Sequence, residues 1–448
     1  MASVIEPSRR IPVFGEHDVV VLGGGPAGIA AAASAARHGA DVLLVERYGF
    51  LGGMGTAAGV TNFCGLHANV HGEIRQVVHG VADELLERMR AQDGLSDPHL
   101  IFGRIHAQAY DMSAYKCAAD GLLASRGASI LFHALGAGVL KHSDGRIEAL
   151  LLETKSGRVA VRARMFIDCS GDADLAHWAG VGLEKGDDDG RLLYPTLMFR
   201  VGNVDAQRAG EAWRSIPSIM DAAEAASEFR FPRRGAIVRP QKHSSEWRVN
   251  VTQLRDAQGN AVDGTDARAL SDAEIEGRRQ VVEYLRFLRA KVPGFEEAYA
   301  LDIAPQVGIR ETRRLVGEYM LTREDVLGCA RFEDSIGVNG WPIENHVAGD
   351  VKWEWPPEGS RGYNELPFRM LLPRLSSTNG ASNLLVAGRC ASMTHEGQSA
   401  ARVSGACFAM GQAAGVAAAL ALRAGVALHD LDTAALQRAL EHDGAFLG

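Results

Sequence analysis

Residues 391–407, ASMTHEGQSAARVSGAC, put His395 and Glu396 side by side, with Arg402 seven residues after the histidine. An imidazole titrates near neutrality and can take or return a proton, so His395 is a candidate base. A second histidine, His346, stands in WPIENH, and Arg310 in GIRETRR either binds an anion or pairs with Glu311 or Glu318. Tyr363 and Arg369 in GYNELPFRMLLP are candidates to line a pocket. None of the six cysteines forms a C-x-x-C pair, so no metal site is expected and the thiols read as buried in a reducing compartment.

These groups need a scaffold, and its strongest trace lies at the other end of the chain. In HDVVVLGGGPAGIAAAASAARHGADVLLVER a short apolar strand runs into Gly23-x-Gly25-x-x-Gly28. An alanine-rich helix follows, closed by His38-Gly39, and a second apolar strand ends in Glu46. Gly23 allows the tight turn, Gly25 lets backbone approach a pyrophosphate, and Gly28 lets helix and strand pack closely. Pro26 and Ala27 open the helix whose N–H groups face the phosphates. Glu46, 18 residues after Gly28, is placed to accept from a ribose diol.

The residues beyond Glu46 favour FAD over NAD. Arg47 and then Gly52-Gly53-Met54-Gly55-Thr56 offer further backbone N–H groups and a hydroxyl near the phosphate site. In ARMFIDCSGDADLAHWAG a strand, a small-residue turn at Ser170-Gly171 and a helix suit the adenosine side. NLLVAGRC reads as a third such strand, with Gly388-Arg389 facing the ribityl chain. Ala137, in a β-meander expected over 128–163, completes the set. No second G-x-G-x-x-G is present, which argues against a separate nicotinamide domain.

The helix expected from Gly405-Ala406 onward is almost wholly Ala, Gly and Val. Its N-terminus is expected beneath the flavin, where its dipole favours the charge that accumulates on reduction. Residues 403–422 carry no charge and include Gly411-x-x-x-Gly415, long enough to span a bilayer, yet the composition reads as a helix packed closely on a sheet. SRRIPVF near the start is followed by a strand rather than an apolar leader core, so a cytoplasmic protein without membrane partners is expected. A net charge of −8 gives no electrostatic case for nucleic acid.

The expected fold is α/β: a Rossmann-like FAD-binding domain with a parallel sheet, helices and a β-meander, plus an inserted α+β substrate domain. The FAD domain takes 12–195 and 360–448, and the substrate or cap domain 196–359. Helices are expected over 71–91 and 108–126, and another after Ser271 as its cap.

The blocks DVVVLGGGPAGIAAA, LGGMGT, FIDCSGDADLA, QVGIRETRRLVGEYMLTREDV, LPFRMLLP and NLLVAGRCASMTHEGQSAARV resemble the broad FAD-dependent oxidoreductase family related to the fumarate reductase and succinate dehydrogenase flavoproteins. The resemblance implies that His395 and Arg402 lie at the flavin's edge, with Arg402 on a substrate carboxylate, and it marks His346 as a second candidate. It implies hydride transfer between a small polar organic substrate and the flavin, with an electron acceptor outside the chain. Some relatives attach FAD through a histidine after the Gly-rich loop; here the next histidine is His67, so FAD is expected to be non-covalent, with Cys64 the only thiol near. Alternative readings are an FAD monooxygenase, from the Gly-Asp at 171–172, or a halogenase. VKWEWPPEG resembles the halogenase W-x-W-x-I-P, with Pro356 and Pro357 in place of its x-Ile. A non-catalytic, flavin-stabilised binding protein is a further alternative.

Overall fold

The computed structural model describes residues 4–377 and 379–448. Strand β1 (Val13–Leu22), helix α1 (Pro26–Arg37) and strand β2 (Val42–Val45) form the first parallel unit. Residues 19–22 of β1 and all of β2 are buried on both faces, as a sheet covered by helices requires, whereas Val13 and Phe14 at the start of β1 are exposed. The helix ends at His38, and Gly39 turns the chain at φ +87.

The sheet grows outward from β1. Gly157–Asp168 pairs parallel to β1, and its last residues pair parallel to Leu384–Val386. Its earlier residues pair antiparallel to Ile147–Thr154, which pairs in turn with Leu135–Lys141. This is the expected meander, with one correction. Ser129–Leu131 is not part of it but joins β2 in parallel at the far edge.

The helix Ser404–Ala424 packs on the sheet, against β1, Gly157–Asp168 and Leu384–Val386, as expected, and lies along α1. Cβ atoms added at Gly411 and Gly415 would stand 2.1 and 2.2 Å from the carbonyl oxygens of Ala27 and Ala31. The G-x-x-x-G spacing is therefore a backbone-to-backbone helix contact inside the protein. The helix is long and apolar enough to cross a membrane, but 89% of its most apolar stretch is buried core.

A second apolar cluster, running from Leu197 to Ile309, packs around a four-stranded antiparallel sheet. Its strand order is Ile237–Pro240, Trp247–Asn250, Phe199–Gly202, Tyr299–Ile303. Helix Ala267–Lys291 contributes Val281, Tyr284, Phe287 and Leu288 to that core. Beyond it, Leu321, Ile336, Val338 and Ile343 pack with Val19 and Ala31 in the first core. On packing grounds we propose that the insertion spans about 197–309 within the 196–359 region.

Three helix expectations need correction. Residues 71–80 are not helical: His67–Val70 and Glu73–Gln76 form a hairpin turning at His71 and Gly72, both with positive φ, and the helix starts at Val81. Residues 108–109 end a strand, Ile105–Ala109, before the Asp111-capped helix Met112–Arg126. Asp266, not Ser271, caps Ala267–Lys291, and the Ser271 hydroxyl donates back to Ala267 O within the first turns.

Candidate active site

Four parallel strands end level with one another. Leu22 is in register with Val45 and Asp168, and Asp168 with Val386. Ligands of open α/β sheets bind beyond such carboxyl ends, and a long cavity opens here. Gly23 turns at φ +101, and a Cβ on it would meet Cys169 O at 2.4 Å. At Gly28 a Cβ would stand 1.8 Å from Gly23 O, so only glycine lets α1 dock on its strand. Gly25 and Gly53 bring two loops together through backbone alone: a Cβ on Gly53 would lie 2.7 Å from Gly25 Cα. No side chain caps α1, which leaves its first N–H groups directed at the cavity mouth. This glycine cradle, with an uncapped helix N-terminus and a buried carboxylate at Glu46, fits the pyrophosphate and ribose of FAD.

Glu46 also braces the cradle, accepting from Gly24 N at 2.6 Å and Tyr48 N at 3.0 Å. Gly23, Gly25, Pro26, Ala27, Glu46 and Arg47 line the cavity, as do Gly53, Met54 and Gly55. So do Ser170, Gly171, Gly388 and Arg389. The Arg389 guanidinium is turned back on the protein, donating to Gly171 O at 2.8 Å, Asp172 Oδ1 at 2.7 Å and Ile309 O.

Other residues expected to bind cofactor stand behind the wall. Thr56 donates to Leu51 O at 2.8 Å and closes the turn at Gly52. Gly136 lines the cavity where Ala137 was expected. Gly405 and Ala406 are buried in the first turn of their helix, Gly405 packing on Gly65 O, while Ser404 and Cys407 face the cavity. The Cys64 thiol lines it too, but burial first and then Glu344 push its pKa up to about 12. It remains a thiol, unsuited to attach a flavin.

The other end of the cavity is built from side chains. Glu344 and His346 sit two apart on strand Ile343–Val347, which puts both on one face. His346 Nε2 is 3.1 Å from Glu344 Oε1, and Glu344 Oε2 accepts from Trp341 Nε1 at 3.1 Å and Arg402 Nη2 at 3.4 Å. Burial pushes the Glu344 carboxyl up, but His346, Arg402 and Arg310 outweigh it and hold it down at about 2. Burial, then Arg310, pushes His346 well below the usual histidine range, so its ring is neutral near pH 7. A carboxylate beside Nε2 fixes the tautomer with the proton there and leaves Nδ1 as the basic atom.

Arg310 pairs with neither Glu311 nor Glu318; its guanidinium donates to Tyr194 O at 2.5 Å and lines the cavity. Arg248 reaches the same end from the second sheet and donates to Val60 O.

His395 is the main correction. The T-H-E segment is the start of a Thr394-capped helix, His395–Ala401. That helix directs His395 to Glu311, 2.9 Å from its Oε2, and Glu311 also pairs with buried Arg314. His395 is outside the cavity lining, whereas Arg402 and His346 are in it. Tyr363 and Arg369 are outside as well, Arg369 bound to Asp334 at 3.0 Å. Sequence reasoning missed Glu344, Trp341 and Arg248. Alternation along the strand holding His346 would have found the first. Among the described residues no His, Cys, Asp or Glu group is arranged to hold a metal.

Residues 18–440 match the FAD dependent oxidoreductase family. A digeranylgeranylglycerophospholipid reductase of Thermoplasma volcanium is 26% identical over 202 residues, 42% of this chain and 48% of the relative. A counterpart from Thermoplasma acidophilum matches to the same extent. The chain thus spans about half the length of the curated relatives it matches. Among solved structures, a geranylgeranyl bacteriochlorophyll reductase-like protein of Thermoplasma acidophilum aligns over 97% of this chain and 84% of its own, with TM-score 0.47 and 14% identity. A myxobacterial chondrochloren halogenase aligns over 96% of this chain and 78% of its own, with TM-score 0.45 and 14% identity. With the family match running almost end to end and a cradle that fits its cofactor, the chain belongs to the FAD dependent oxidoreductase family and is an enzyme that uses FAD.

Proposed function

We propose that the protein transfers hydride between a small polar organic substrate and FAD, with His346 handling the accompanying proton. A relation to the fumarate reductase and succinate dehydrogenase flavoproteins is part of this reading and rests on the matched sequence blocks. Bound FAD supplies the two-electron chemistry. The chain's own part is to orient the substrate and to move a proton. The observation that carries the reading is the Glu344–His346 pair, a neutral imidazole fixed by an ionised carboxylate in the cavity wall. In that arrangement Nδ1 takes the proton, and Glu344 stabilises the imidazolium that forms. Trp341 and Arg402 hold the carboxylate in place.

The experiment is an anaerobic screen of alcohols, amines and acids for loss of the yellow flavin absorbance, without nicotinamide nucleotide. Bleaching by one chemical class is the expected result. Reduction by nicotinamide nucleotide alone, followed by consumption of oxygen with an organic substrate, would contradict it and favour a monooxygenase or halogenase.

A further inference from the structure

The second sheet turns a row of arginines toward the first domain. Along Trp247–Asn250, Trp247 and Val249 enter the second core, which leaves Arg248 and Asn250 on the opposite face, where both line the cavity. Arg248 is in register with Arg239 on one neighbouring strand and Arg200 on the other. Like charges directly opposite one another weaken a sheet. Arg200 is relieved by Asp302 and Glu246. Among the described residues Arg239 and Arg248 have only neutral oxygen acceptors, Ile101 O and Val238 O for the first, and Val60 O and the Asn62 amide oxygen for the second.

Arg310 adds a further guanidinium whose hydrogen bond goes to a carbonyl. Arg248 is 4% exposed and Arg310 7%, and Nε of Arg248 has no partner. Arginine stays protonated, and a buried guanidinium facing only neutral groups is costly. At this end of the cavity Arg248, Arg310 and Arg402 face one carboxylate, Glu344, which is already shared with His346. An anion entering here would satisfy charges that the protein leaves unpaired. Beside them the wall is apolar: Ile101, Phe102, Trp341 and Trp353, with ring centroids 5.4 Å apart for Phe102–Trp353 and 6.3 Å for Trp341–Trp353.

We propose that the substrate is an organic anion with an apolar, ring-sized body, its charged group held by Arg248 and Arg310 and its body against Trp341, Trp353 and Phe102. This rests on the oxidoreductase reading above and names its substrate class. A carboxylate and a phosphate share the required chemistry.

Calorimetric titration of the FAD-loaded enzyme with benzoate, phenyl phosphate and benzyl alcohol tests it. At least one anion should bind about 30-fold or more tightly than the alcohol, the scale expected for a desolvated charge pair. The tighter of the two distinguishes carboxylate from phosphate. Arg248→Gln and Arg310→Gln should each abolish that preference with FAD content unchanged, and Arg310→Lys should restore part of it. Equal binding of anions and alcohol, no binding of either anion, or loss of FAD from both Gln variants would overturn the proposal. The wild-type comparison needs no variant to fold. None of these outcomes bears on the proton role of His346, which has its own kinetic test.

Discussion

At the cradle end of the cavity, Gly23, Gly28 and Gly53 bring backbone against backbone, and nearly every constraint is steric. At the other end, Arg248, Arg310, Glu344 and His346 come from a second sheet, a loop and a hairpin strand, and the constraints are electrostatic. Steric constraints forbid all residues but one; electrostatic ones depend on what the fold brings near. The first kind should fail abruptly on substitution, the second by degrees and selectively.

Gly28→Val tests the steric end and should have the largest effect. Its side chain would begin 1.8 Å from Gly23 O, where backbone rather than a flexible side chain must give way. The expected cost is about 3 kcal/mol or more, read as a lower denaturation midpoint together with loss of FAD. A stable, yellow Gly28→Val protein would break the distinction.

His346→Gln tests the other end. The rate of flavin reduction by the compound found in the anaerobic screen should fall roughly 10²-fold, the scale of a lost general base. His395→Gln is its control. His395 is tied to buried Glu311 outside the cavity, so its loss should cost stability, about 1–3 kcal/mol, and leave the reduction rate close to wild type. A slow His395→Gln enzyme beside a normal His346→Gln enzyme would reverse the assignment.

The smallest effect concerns acid. Burial first, and then His106, His79 and Arg90, lower the His67 pKa to about 4. The unfolded chain takes up this proton near pH 6.5, so it binds more protons than the folded chain below that point. The stability from keeping His67 neutral is present above about pH 6.5 and is lost as pH falls toward 4. Tm should therefore drop between pH 7 and pH 5, and drop less in His67→Gln; an identical pH dependence in that variant would remove His67 from the account.

The same division explains what could be read in the sequence. Each cradle glycine answers a local steric demand, so spacing alone revealed the turn, the helix start and the terminal acid Glu46. The side-chain end is assembled from distant segments. A buried Arg248 has the same letters around it as a surface arginine, and only the register of the second sheet turns it inward. Glu344 escaped because its strand and the partner Asp350–Glu354 were not recognised as a hairpin. His395 misled because a helical twist, set by the Thr394 cap, turns it to Glu311. Residues 71–80 misled because positive φ at His71 and Gly72 interrupts an otherwise amphipathic run.

The most direct test of this division needs no substrate: the molar ratio of FAD to protein in purified Gly25→Val and His346→Gln, measured side by side. Gly25 faces the cavity and meets the Gly53 loop, and His346 belongs to the side-chain end. The account predicts a colourless Gly25→Val protein and a His346→Gln protein with the wild-type ratio. A flavin-loaded Gly25→Val protein, or loss of FAD from a folded His346→Gln protein, would contradict it.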